Sequence, residues 1–364
     1  MGKGKIIALI IAGVMLFIGL IVTGASVLYM AKSPEHYTFA NNRFSVASSY
    51  GTKEKVIAES FDGIEIEETD GDVYIGFSDD DKCHVVYPDS QDKTYEIGVT
   101  NGILTVSTQR EGFTMFSFRT PKLQILLPEE TYASLEAQAG SGDIRIANGF
   151  VFDTAKIETG SGEIESRADV TQSFEAKASS GDVDVAGLNR GTAVISTHSG
   201  DILAGAIKND TLTVTATSGD IELNGIVTGT LRAKAGSGEI KAATVEADDV
   251  EITTSSGDIE CADMKTGTLT TKANSGQTDL HNVLVDGLLK HDSGSGDIEA
   301  DATDAGEIEI RVNSGDVELE LLSDRFYDIK TNSGSVHAPQ STRDGGMCRI
   351  TTTSGDVRIT VTEN

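Results

Sequence analysis

A Ser-Gly dipeptide returns along most of the chain at a nearly constant spacing. Its glycines are Gly142, Gly162, Gly181, Gly200, Gly219, Gly238, Gly257, Gly276, Gly296, Gly315, Gly334 and Gly355, in steps of 19 to 21 residues. Self-similarity at such a period marks a chain built by stacking one short unit. Ser precedes each of these glycines, and an acidic residue follows ten of them, from Asp143 to Asp356. Gln277 and Ser335 are the exceptions. The second residue after Gly is Ile or Val in every copy but one, where Thr278 stands.

Other columns alternate in polarity. Seven residues before Gly lie Leu212, Leu231, Val250, Leu269 and Ile308; five before lie Ile195, Val214, Ile252 and Ile310. Three before, the column narrows to Ala or Thr, as in Ala178, Thr197 and Ala216. Positions between are charged or hydroxylic. Period-two alternation with one apolar face predicts half-buried strands on both sides of a Ser-Gly corner. A hairpin would also fit strand, turn, strand. The columns favour a parallel β-solenoid, because in-register stacking sets like residues about 4.8 Å apart and so holds size column by column. The predicted fold is all-β: about twelve rungs over 135–364, preceded by one transmembrane α-helix. Composition agrees, with 39 Gly, no Trp and only 5% aromatic residues. Many small and branched side chains must supply the core.

Upstream, residues 56–134 are less regular and read as a β lead-in that caps the N-terminal end. Asp70-Gly71-Asp72-Val73 is a degenerate corner, and Thr100-Asn101-Gly102 between two alternating runs signals a hairpin. Residues 123–127, ending at Pro128, read as a buried strand.

Residues 6–30 contain no charge and are long enough to cross a bilayer as a helix. Lys3 and Lys5 precede the run, which places the stub 1–5 in the cytoplasm and everything after Lys32 outside the membrane. Cleavage near Ala25 is the rival reading. Residues 31–55 are polar and aperiodic, and read as a juxtamembrane linker.

A net charge of -28 argues against nucleic-acid partners. The acidic column could be held by serine hydroxyls and backbone N–H groups acting as local caps. Calcium between successive aspartates is the alternative, although the Gly-rich nonapeptide of calcium-binding solenoids is missing. The histidines show no metal-ligand spacing, and His198 reads as a solvated turn residue. Cys83, Cys261 and Cys348 are too few for a disulfide framework; the last two fall in core columns. No catalytic, cofactor or metal residues are assigned. One stretch, 277–292, breaks the pattern with Gln277, Thr278, Asp279, His281, His291 and Asp292. An enzyme built on this scaffold would place its unlike residues there.

Ser141-Gly142-Asp143-Ile144, Ser218-Gly219-Asp220-Ile221, Ser354-Gly355-Asp356-Val357 and the lead-in ending in Leu126-Leu127-Pro128 resemble the bacterial DUF4097 family of adhesin-like proteins. The resemblance covers roughly 56–364. It implies an envelope β-solenoid, often encoded near envelope-stress genes, and carries no established activity or catalytic residues. The expected function is therefore a non-enzymatic, membrane-anchored surface rod that meets an envelope protein or a wall polymer. A carbohydrate-active enzyme at 277–292 and a calcium-stiffened rod are the alternatives. The C-terminal rung, ending in a regular strand over 356–362, is expected to be an open edge for self-association.

Overall fold

The computed structural model describes residues 36–40, 43–47, 51–89, 93–110, 113–116, 122–188, 190–343 and 345–362. They form an all-β parallel solenoid, with no α-helix among the described residues. The transmembrane helix expected over 6–30 lies outside them, and no described helix is long and apolar enough to cross a membrane. His36–Ala40 and Arg43–Ala47 pair antiparallel within the stretch read as a linker, and His36–Ala40 also pairs with Phe113–Phe116.

The strand Ile202–Ser218 shows how one repeat becomes one coil. Ile202, Ala204, Ile207, Asn209, Leu212, Val214 and Ala216 are buried while the residues between them face outward. The alternation slips at 205–206 and again at 210–211, so the coil has three sides and three corners. Each side lies in register on the next coil: Ile202 on Ile221, Leu212 on Leu231, Ala216 on Ala235, then Ile221 on Ile240 and Leu231 on Val250. Like packs on like, and the core is a bundle of residue columns.

The second corner was not visible in the sequence. Six residues after seven of the corner glycines, the backbone turns left-handed at Gly187, Ala206, Gly225, Thr244, Asp263, Asn282 and Ala302, with φ between 47° and 91°. Gly, Ala, Thr, Asp and Asn all serve there, so no column stands out. Thr244, β-branched at φ 56°, adopts a costly conformation that stacking must offset. The third corner is held from inside. Asn209 Nδ2 donates to Thr211 O at 2.9 Å, and Thr228 and Thr266 hydroxyls donate to the carbonyls of Thr230 and Thr268.

Both ends are assembled out of sequence order. At the first end Gly63–Glu68 stacks on Thr131–Ala139, and Asp72–Phe77 on Ile144–Ile146, so the Asp70-Gly71 corner opens the regular stack. Residues 78–130 are an excursion. It sets Lys122–Leu127 parallel beneath Asp72–Phe77 and Cys83–Asp89 antiparallel beyond it, and the earlier strand Gly51–Ile57 pairs antiparallel with Cys83–Asp89. On the third side, Lys93–Thr100 and Ile103–Arg110 form the expected hairpin, turning at Asn101 and Gly102 with φ of 54° and 79°. Antiparallel strands thus close this end.

At the other end the C-terminal strand is not the last rung. Val357–Val361 lies between Val317–Leu321 and Val336–His337, and Met347–Ser354 lies between Ile298–Ser314 and Phe326–Ser333. The corner glycines therefore stack in the order 296, 315, 355, 334. The expectation of an unprotected C-terminal rung is corrected. The 21-residue step between Gly334 and Gly355 hides a return of the chain into the stack, and the true edge is the coil around Gly334.

A buried ion pair ties the first cap to the solenoid. Glu68 holds the position three before Gly71, where most other coils have Ala or Thr, and accepts the N–H groups of Asp70 and Gly71 at 3.2 and 3.1 Å. Lys93, on the cap hairpin, pairs with Glu68 and with Asp70, the latter at 2.9 Å. Burial lowers the Lys93 pKa, and the Glu68 carboxylate works against that fall. Removing one partner leaves the other charged and dry. Glu68→Ala is expected to cost about 3 kcal/mol, and Glu68→Ala with Lys93→Met less than the single change; chemical denaturation of the three proteins checks the order.

Candidate interaction surface

The Ser-Gly corner is the most regular element of the surface. A Cβ on any of the twelve repeat glycines would collide with the backbone carbonyl of the corner glycine stacked on it, so close approach between coils demands glycine. Beside it runs a ladder of carboxylates. Asp182 Oδ1 accepts the Asp201 N–H at 2.8 Å, Asp201 that of Asp220 at 2.9 Å, and Asp220 that of Glu239 at 2.8 Å. Asp72, Asp143, Asp258, Asp297, Asp316 and Asp356 do the same for the coil stacked on each.

The acidic column therefore joins coil to coil. The expectation of a cap within each turn is corrected on this point: the donor is a backbone N–H, but it belongs to the neighbouring coil. One oxygen of each Asp is committed to that bond. Among the described residues, no group of three or more His, Cys, Asp or Glu side chains is arranged to hold a metal ion. The ladder's last acceptor, Asp356, takes the Ser335 N–H at 2.7 Å, and this bond lowers its pKa. Ser335 ends the ladder, since among the described residues no coil follows it. That exception in the sequence was the one signal of where the stack stops.

The outer faces differ in charge. The side after the Ser-Gly corner carries Asp184, Glu222, Glu260, Glu299 and Glu318, which adds to the acidic ladder. The third side carries Lys177, Arg232, Lys234, Lys272, Lys290 and Arg311 among threonines and acids. Neighbouring coils pair some of these charges, such as Arg232 with Glu251 at 3.7 Å. A shallow cleft on this face, of about 360 Å³, is lined by Lys272, Asn274, Asp292, Gly294, Arg311 and Asn313 among others.

The structure does not bring the residues of 277–292 together. Asp279 and His281 face outward on the first side, where Gln277 donates to Asp279 at 2.7 Å and His281 meets Asp301 at 2.9 Å. His291 points into the core on the third side and is 0% exposed. It occupies the column that Ile310 fills one coil on, and its Nδ1 meets the Thr271 hydroxyl at 2.9 Å. Burial lowers its pKa from 6.5 to about 4. The neutral ring is the folded form, and the unfolded chain takes up the proton first as pH falls. Stability is thus full above pH 6.5 and declines toward pH 4, by about 3 kcal/mol from this one group. Thr271→Val with His291→Val is expected to remove that acid loss, read from melting temperature against pH.

All three cysteines are buried, as expected for the two in core columns, and burial pushes each thiol up to about 12. They are packing residues.

Comparison with known proteins places this architecture. The profile of the family described as Toastrack DUF4097 matches residues 61–247 and 243–364. The chain belongs to this family. No curated protein matches it. Solved structures with which this Toastrack chain shares similarity include a proposed adhesin from Parabacteroides distasonis, at 15% identity and TM-score 0.37, covering 75% of this chain and 97% of that one. A proposed cell adhesion protein from Clostridium sporogenes follows, at 14% identity and TM-score 0.31, covering 58% and 99%. A proposed lipid-binding protein from Parabacteroides distasonis has 16% identity and TM-score 0.30, covering 85% and 97%.

Proposed function

We propose that this Toastrack chain is a non-enzymatic rod of the cell envelope, held at the membrane by residues 6–30 with the solenoid outside. Its working surface is the third side, which docks an envelope protein or a wall polymer. The observation that supports this reading is the register of the third side's outward columns, which stays unbroken past the shifts elsewhere in the coils. Equivalent positions repeat about every 4.8 Å over thirteen stacked corners, a rod of about 60 Å. An extended partner could meet the same contact coil after coil. The third side also balances its acids with lysines and arginines, so in a chain of net charge -28 it repels anionic groups less than the acidic first side does.

Photo-crosslinking amino acids at Thr213 and Arg232, with a control at Glu222 on the acidic side, test this in intact cells. The expected result is capture of one protein or glycan from the third side and not from the control. Capture from the control alone, or turnover of an envelope polysaccharide by the purified chain, contradicts the proposal.

A further inference from the structure

Along the third side the residue two before each corner Gly faces outward, and in most coils it carries a side chain. Gly294 has none, while Asn274 and Asn313 stand on the coils to either side. The column therefore has a notch one coil wide, and it lies in the cleft of about 360 Å³. The two Asn positions are two strand spacings apart, about 10 Å, which leaves room for one ring over Gly294. Beside the notch, two residues back along each strand, Lys272, Asp292 and Arg311 stand in register. The returning strand adds Thr351 next to Arg311.

The lining selects the chemistry of an occupant. Its apolar side chains, Ala273 and Val312, are buried beneath it and offer nothing to a lipid tail or an apolar anchor. Carboxamides and hydroxyls both donate and accept, as the hydroxyls of a sugar do. Among the described residues, the side chains of Asn274, Asn313 and Thr351 make no hydrogen bond, and Lys272 meets no acid. Asp292 is already held by Lys290 at 2.9 Å and lies 3.7 Å from Arg311, which also pairs with Glu309. Lys272 is thus the cation of the cleft left to take an anion from outside. Its surroundings favour that anion. On the three outward columns nearest the corner, these four coils carry Lys272, Lys290, Arg311 and Arg349 against Asp292 and Glu309, a local excess of positive charge in a chain of net charge -28.

We infer that the cleft is a subsite for an acidic polysaccharide, seating one uronic acid ring over Gly294 with its carboxylate on Lys272. This rests on the reading of the third side as a docking face and names the ligand of that face. Lys272 and Asn274 are two residues apart on one strand, about 7 Å. An acid carried on the ring itself reaches from the notch to that cation. In a polymer joined by phosphodiesters the charge lies between the units and away from the seated one.

Titration calorimetry of the full chain in mild detergent tests the inference, with a galacturonic acid tetramer as the probe. A neutral galactose tetramer and a glycerol phosphate tetramer are the comparisons. The uronate is expected to bind, and the neutral sugar about fivefold more weakly. Lys272→Met should erase that difference. Lys177→Met, which removes the same charge from the same column outside the cleft, should leave it. Asn313→Ala should weaken both sugars about fivefold. All three side chains are exposed, so the variants keep the fold. A wild type that binds no uronate, a uronate affinity lowered equally by Lys177→Met, or tighter binding of the glycerol phosphate overturns the inference. No uronate binding while Thr213 and Arg232 still crosslink a protein would overturn the subsite and leave the docking face standing. Uronate binding with crosslinks from Glu222 alone would keep the subsite and overturn the wider face.

Discussion

Deleting residues 355–364 is expected to unfold the C-terminal end of the rod, although it removes only ten residues at the end of the sequence. Val357 and Ile359 are buried, and the strand they belong to separates Val317–Leu321 from Val336–His337. Their burial alone is worth about 2 kcal/mol each, and Val317, Leu319 and Leu321 lose their cover on one face. With the cavity this leaves, the loss is about 6 kcal/mol, comparable to the stability of a small domain. A solenoid passes such damage only to neighbouring coils. Hydrogen exchange should show protection lost over Val317–Leu321 and Phe326–Ser333 and kept over Ile221–Ser237. Were the strand a mere addition at the edge, exchange in Val317–Leu321 would hardly change.

Gly238→Val should be the most damaging single substitution of its kind in the middle of the stack. Its side chain would grow into the Gly219 carbonyl, and neither coil can retreat without breaking the register on both sides. Overpacking against backbone in a rigid interior costs more than the usual range, and we expect about 4 kcal/mol. Gly98→Ala is the control, since a Cβ there meets nothing within 4 Å. It should be nearly neutral in the same thermal melts. Equal destabilisation by both would mean that chain flexibility, and not the contact between coils, sets the cost.

The coil itself was legible because its determinants recur. Ser218, Gly219 and Ile221 each do the same task in copy after copy, and a repeated task leaves a column. The hairpin at Asn101-Gly102 was legible from local turn chemistry. What recurs in backbone but not in residue type left no trace: Ala206, Gly225, Thr244 and Asp263 share one left-handed corner while sharing no side-chain property. Single long-range events were equally silent. Glu68 meets Lys93 across 25 residues, and the C-terminal strand enters the stack one layer from where sequence order would put it. His291 stood out as an anomaly, but whether it faced solvent or the core depended on its side of the coil. At the surface, the acidic column was plain in the sequence, and its bond to the next coil was not, because the partner is a backbone N–H that every residue possesses.

The order of the last coils tests the central claim, an in-register stack into which the chain's own C-terminal strand returns, most directly. Glu318, Arg358 and His337 occupy one outward column, with Arg358 in register with each of the others. Cysteine pairs placed at 318 and 358, at 358 and 337, and at 318 and 337 can be oxidised in otherwise native protein, whose own thiols are buried. The account predicts rapid intramolecular disulfides for the first two pairs and none for the third, because adjacent strands bring Cα atoms within disulfide reach and alternate strands do not. A disulfide between 318 and 337, with none at 358, would restore sequence order to the stack and contradict it.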